Sequence, residues 1–203
     1  MTSFLINRWV SFIHEATYLD TRTVGGMLKL FRGVRMTADN SEITYGFLLD
    51  TYETEILKVT GIWSAFPELQ MDYRPHPKSR SVIEQMEHQV QSEGRWMKTM
   101  LGIDAGDPNP AERNQQSFIE KYKADASHRL AVMRSKPDEW WREATNFFDV
   151  IRSRAWVLTR RMNHSTHHRG MLTVYLRLLD IPLPSVYGPT ADTGEKVIYS
   201  FDG

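Results

Sequence analysis

The stretch Asn163-His164-Ser165-Thr166-His167-His168-Arg169-Gly170-Met171-Leu172-Thr173-Val174-Tyr175-Leu176 decides how this chain is read. At about 100° per residue, His164 and His168 lie about 40° apart on one helical stripe, which also carries Val157, Met171 and Tyr175. Both imidazoles therefore point inward. His167 is turned about 100° from His168, toward the edge of that stripe, and is expected to stay unliganded. The periodicity predicts a long helix from about Arg152 to about Leu179, stopped by Ile181-Pro182-Leu183-Pro184, because proline cannot continue a helix. Two imidazoles one turn apart can present nitrogens to one ion at about 2.0–2.1 Å. An isolated pair of this spacing is nonetheless more often hydrogen-bonded than metal-bound.

Working backward, three more helices are predicted. Ser41 can cap a helix with Leu48, Tyr52, Ile56, Val59 and Trp63 on one stripe. After Pro67, Pro75 and Pro77, the pair Ser81 and Glu84 forms a capping-box pattern ahead of Val82, Met86, Val90 and Met97, predicting a helix from Ser81 to about Leu101. Gly102 to Pro110 reads as a loop, and a third helix is expected from about Ala111 to Met133 with Phe118, Ile119, Tyr122 and Leu130 in the core. Glu139 to Val150 holds Trp140, Trp141, Phe147 and Phe148, too aromatic for a solvated linker, and is expected to pack back on the rest. Its secondary structure stays open. No convincing strand alternation is visible, so the fold class is all-α: a four-helix bundle, an architecture that often builds metal sites from facing core side chains.

Residues 1–40 read as an N-terminal extension ahead of a domain spanning 41–203. Within it, Phe4, Leu5, Trp9, Phe12, Ile13 and Ala16 have the spacing of a short amphipathic helix over about Thr2 to Asp20. Met36-Thr37-Ala38-Asp39-Asn40 resembles a translation start, so residues 1–35 read as an extension, natural or from an overlong reading frame. At the other end, the tail beyond the fourth helix reads as irregular.

Composition narrows the function. With 203 residues and 41% hydrophobic content, the chain can bury one sizeable core. Its formal net charge of zero supplies no field to attract nucleic acid or anionic lipid. No run approaches the roughly 20 apolar residues needed to cross a bilayer, and the start has no signal-peptide pattern, so the expectation is a cytoplasmic protein. The absence of cysteine means that any metal is held by histidine and carboxylate, and that any thiol chemistry uses a guest thiol.

The stretch quoted first resembles the last-helix signature of the DinB/YfiT-like superfamily of metal-binding four-helix bundles. Arg74-Pro75-His76-Pro77-Lys78-Ser79 with Glu84-Gln85-Met86-Glu87-His88 resembles that superfamily's second-helix entry, and Tyr187-Gly188-Pro189-Thr190-Ala191-Asp192 its C-terminal tail. The resemblance spans about Tyr45 to Gly194. It implies that His88, His164 and His168 bind one divalent metal, with zinc, nickel, iron and manganese all open. It departs from the pattern at Met171, where the superfamily usually has glutamine. On a helical wheel His88 falls opposite the Val82, Met86, Val90 and Met97 stripe, among Gln85, Ser92 and Thr99, so periodicity places it on an exposed face while the resemblance places it on the metal.

Glu84, Glu87 and Glu93 lie near His88 in sequence and could serve as a ligand or support one, but helix carboxylates are more often solvated, and that is the expectation here. His14, His76 and His128 are expected on the surface. Asn163 and Arg169 are candidates for supporting the ligands or binding substrate, and Tyr52, Trp96 and Tyr175 for walls of the site. The resemblance further implies a homodimer acting on a small-molecule substrate. It points to transfer of a low-molecular-weight thiol onto an electrophile, with metal-dependent hydrolysis and non-catalytic metal or ligand binding as alternatives.

Overall fold

The computed structural model describes residues 45–194. The extension assigned to residues 1–40, its helix over Thr2–Asp20, His14 and the Ser41 cap lie outside them.

Four long helices are present: α1 (Gly46–Ser64), α2 (Val82–Leu101), α3 (Gln115–Arg134) and α5 (Arg154–Leu178), with a short α4 (Asp138–Arg142) before the last. A two-stranded antiparallel hairpin, β1 (Ala144–Phe147) and β2 (Val150–Ser153), joins α4 to α5. No pattern in the sequence announces this hairpin. Its strands have only 4 residues each and mostly exposed side chains, so no apolar alternation marks them.

The helix ends follow local chemistry. Ser81 caps α2 by accepting from the Glu84 amide, while the Glu84 side chain accepts from the Ser81 amide at 2.8 Å. At the other end Gly102 takes a left-handed φ of 69°, which lets the Ile103 amide donate to the Met97 carbonyl. The third helix starts later than expected at Ala111, because Asn114 is the residue whose side chain caps it, accepting from the Ser117 amide at 2.8 Å. Likewise α5 begins at Arg154 rather than Arg152, because β2 holds Val150 to Ser153 extended and Ser153 then caps the helix.

Helix α1 packs mainly on α3 and α5, and α2 on the same two. Consecutive helices α1 and α2 are therefore diagonal neighbours, joined by the long proline-containing crossover from Ala65 to Ser81. The core residues expected in the first three long helices are buried: Leu48, Tyr52, Ile56, Val59 and Trp63 of α1, Val82, Met86, Val90 and Met97 of α2, and Phe118, Ile119, Tyr122 and Leu130 of α3; on the α5 stripe Val157 and Tyr175 are buried and Met171 is half-buried. Trp141 is buried, and Phe147 of β1 packs edge-on against Trp96, so the aromatic connection does fold back on the bundle.

The centre of the bundle is polar. Glu93 of α2 is fully buried and collects groups from all three other long helices. Tyr52 of α1 donates to it at 2.5 Å, and from α3 both Tyr122 (2.9 Å) and Arg129 (3.0 Å) donate. Arg161 of α5 pairs with it at 3.4 Å. Burial alone would raise the Glu93 pKa, but Arg129 and Arg161, aided by the two phenols, hold it below its ordinary 4.5. The expectation that Glu93 is solvated is therefore corrected. Helix α2 is covered on two faces, by α3 and by α5, so its polar stripe is enclosed as well as its apolar one.

Candidate metal centre

The bundle brings His88 of α2 together with His164 and His168 of α5. One nitrogen from each lies within 4.8 Å of the others, and the ring centroids are 4.5 to 5.3 Å apart. His168 is buried, and His88 and His164 are half-buried. His88 is thus neither on the apolar stripe nor on an open face. It sits in the seam between α2 and α5, which a helical wheel drawn for one helix cannot show.

His168 is oriented by Gln85, one turn before His88. Its Nδ1–H donates to Gln85 Oε1 at 2.8 Å, which leaves the Nε2 lone pair free. That lone pair faces His164 Nε2 at 3.3 Å. Two nitrogens held tetrahedrally at about 2.05 Å from one ion are themselves about 3.3 Å apart, so this spacing suits a shared ligand set. Gln85 thus gives His168 a polar partner in a chain that has Met171 after Arg169-Gly170. His164 Nδ1 is buried without a hydrogen-bond partner, and this ring is positioned by packing, with Trp96 at 5.5 Å and His88 at 5.3 Å.

The electrostatics keep the three rings neutral. Burial first, then Arg161 and neighbouring histidines, pushes His164 down to about 3. His168 is also at about 3, through burial and then His164, His88, His167 and Arg161. His88 is lowered by burial and by Arg80, Arg161 and Arg95. Neutral imidazoles are the metal-binding form, so the donor set can hold a divalent ion at neutral pH without first losing protons.

Other candidates fall elsewhere. His167 is exposed and outside the cluster, and His76 and His128 are exposed as expected. Glu84 pairs with Arg74 and completes the α2 cap, and Glu87 pairs with Arg113, so neither joins the histidines. Arg169 is buried in a two-pronged pair with Glu55 of α1 at 2.7 and 3.2 Å, tying α5 to α1. Asn163 lines a separate groove with Arg169, Thr54 and Tyr187. Of the proposed walls, Trp96 touches the site, Tyr52 is committed to Glu93, and Tyr175 donates to the Arg80 carbonyl at 3.0 Å.

Sequence reasoning missed Gln85 and Arg161. The spacing of Gln85, Gln89 and Glu93, each one helical turn from the next, was the available signal: a polar stripe this regular on a helix with a separate apolar stripe marks a second covered face. Arg161, one turn before His164, is fully buried, donates to Ser92 at 2.9 Å and Ser165 at 3.1 Å, and lies 5.4 Å from the Trp96 ring.

The comparisons with known proteins agree with this fold. No curated protein matches the chain. Among solved structures, a DinB-like protein from Bacillus cereus ATCC 10987 is similar with a TM-score of 0.63 at 17% identity, over 70% of this chain and 97% of that one. A DinB-like protein from Bacillus subtilis gives 0.55 at 16% identity, over 68% and 96%. These likenesses concern the fold. The model of the DinB family matches residues 55–196, a span that takes in His88, His164 and His168, and the chain belongs to the DinB family.

Proposed function

We propose that His88, His164 and His168 bind one divalent metal and that the site activates a low-molecular-weight thiol for transfer onto a small electrophile. The observation that carries the reading is the convergence of three neutral imidazoles, with no carboxylate joining them among the described residues, in a chain that has no cysteine. When bound, a divalent ion with three neutral ligands keeps its full charge and an open position, and it lowers the pKa of a thiol or water placed there.

The protein's own residues have three tasks in this scheme. The histidines would hold the ion and, being neutral, would leave its charge uncompensated. Gln85 fixes the tautomer of His168 by accepting its Nδ1–H. Arg161, anchored by Glu93, adds a fixed positive charge near His164 that favours an anionic sulfur. In the transfer, the sulfur forms a bond to the electrophilic carbon, the leaving group departs with the bonding pair, and the thiol proton is released to solvent.

Turnover of an epoxide or activated aromatic probe should require both the metal and an added thiol, and omitting either should reduce the rate to background. Metal-dependent cleavage of an ester or amide probe without thiol would replace this reading with hydrolysis. Inertness of fully metallated protein toward both probe classes, across several thiols, would leave a binding role. We also propose a homodimer, since apolar side chains such as Phe47 and Leu57 of α1 are exposed. Light scattering at micromolar concentration should return twice the chain mass.

A further inference from the structure

The β1–β2 hairpin places an aromatic cluster beside the histidines that no role has so far absorbed. Trp96 of α2 is the link: its ring lies 5.5 Å from His164, 5.1 Å from Phe147 and 5.9 Å from Phe148. Phe147 and Phe148 stand at 84° and 82° to the Trp96 plane, and Trp156 packs 4.9 Å from Phe147. The apolar surface is therefore continuous with the site.

Phe148 is the telling residue. Phe147 pairs with Val150, so Phe148 and Asp149 form a two-residue turn. Phe148 alone of these has positive φ, at 52°, a position in such turns that ordinarily goes to glycine. A bulky residue in the left-handed region is destabilising, and its ring is not compensated by burial, since Phe148 is 67% exposed. Folding gains little from a phenylalanine here.

We infer that Trp96, Phe147 and Phe148 form a subsite for the planar aromatic part of a small ligand whose polar head lies at the three histidines. This deepens the proposed function by naming the substrate class, an aromatic electrophile, and it rests on the reading that the histidines hold a metal. Two aromatic rings set edge-on to a third offer a further planar ring an edge-to-face or offset-stacked seat, the arrangements that aromatic pairs prefer. The fully buried Arg161 guanidinium lies over the Trp96 ring at 5.4 Å and helps to fix its position.

The test compares ligands that share one metal-binding head. Zinc-loaded full-length protein is titrated calorimetrically with acetohydroxamate, cyclohexanecarbohydroxamate and benzohydroxamate, and metal content is measured in parallel. The wild type should bind benzohydroxamate about tenfold more tightly than either of the others. In Phe148→Gly that preference should fall to about threefold or less, with zinc content and acetohydroxamate binding unchanged. Because glycine relieves the left-handed turn, this variant should melt no lower than wild type, so lost preference cannot be ascribed to unfolding. Equal binding of the three hydroxamates, or an aromatic preference that survives Phe148→Gly, would overturn the inference. So would a wild-type dimer that Phe148→Gly converts to monomer, since a second copy would then be the occupant of the cluster. Failure to take up zinc would instead overturn the metal reading, and the subsite would fall with it.

Discussion

His164 and His168 face each other across 3.3 Å, and the group that makes this more than a chance encounter is Gln85, which holds the Nδ1 proton of His168 on the far side of the ring. Protein purified without a histidine tag should carry close to one divalent ion per chain, and His164→Ala or His168→Ala should lose most of it. His167→Ala should retain it, with elemental analysis as the measure. Gln85→Ala removes no ligand, yet metal affinity should fall by about 10–100-fold in a chelator competition, the usual cost of losing the partner that orients a ligand. The same rings set a pH dependence for the metal-free protein. Their pKa values are depressed in the folded state from 6.5 to about 3 for His164 and His168, so the unfolded chain binds more protons between those values. Their contribution is whole above pH 6.5 and is lost as pH falls toward 3. The urea midpoint should therefore drop between pH 7 and pH 5, where Glu93 is not yet titrating, and should drop less in His164→Ala.

At the scale of single elements, α2 carries much of the site. Its start is fixed by the reciprocal bonds of Ser81 and Glu84, and its first turns then present Gln85 and His88 to α5. Ser81→Ala should cost about 1 kcal/mol, measured by urea unfolding. Metal content should be maintained at 25 °C, because α2 is held along its length by packing on α3 and α5. The hairpin is an element of a different kind. Thr145 of β1 donates to the Met100 carbonyl at 2.7 Å, where α2 ends, and Phe147 rests on Trp96, so the hairpin is docked on the helix that supplies His88.

In the whole molecule, one carboxylate joins all four long helices. Glu93 is charged, fully buried and partnered by two arginines and two tyrosines, so its removal leaves Arg129 and Arg161 without their shared counter-charge. Glu93→Gln should destabilise the fold by about 3–5 kcal/mol, the usual result of breaking a buried pair, as measured by urea unfolding. A consequence specific to this arrangement is that Arg161 also touches Ser165 and Trp96 next to the histidines, so the variant should weaken metal binding even where it remains folded. Among the described residues no helix is long and apolar enough to cross a membrane.

Periodicity was enough to place the four long helices to within a few residues, most of their apolar stripes and the inward direction of His164 and His168, and the capping pattern fixed the start of α2, because each depends on neighbours within one or two turns of the same helix. His88 was legible only through the resemblance, since the property that matters is the proximity of α2 to α5, and no pattern within α2 encodes its partner. The same reason hid Glu93, whose burial follows from three other helices closing over it, and Gln85, which reads as a solvated residue until His168 stands opposite. The hairpin was hidden by short strands that face solvent, so its docking on α2, like the convergence of the histidines, was decided by tertiary structure alone.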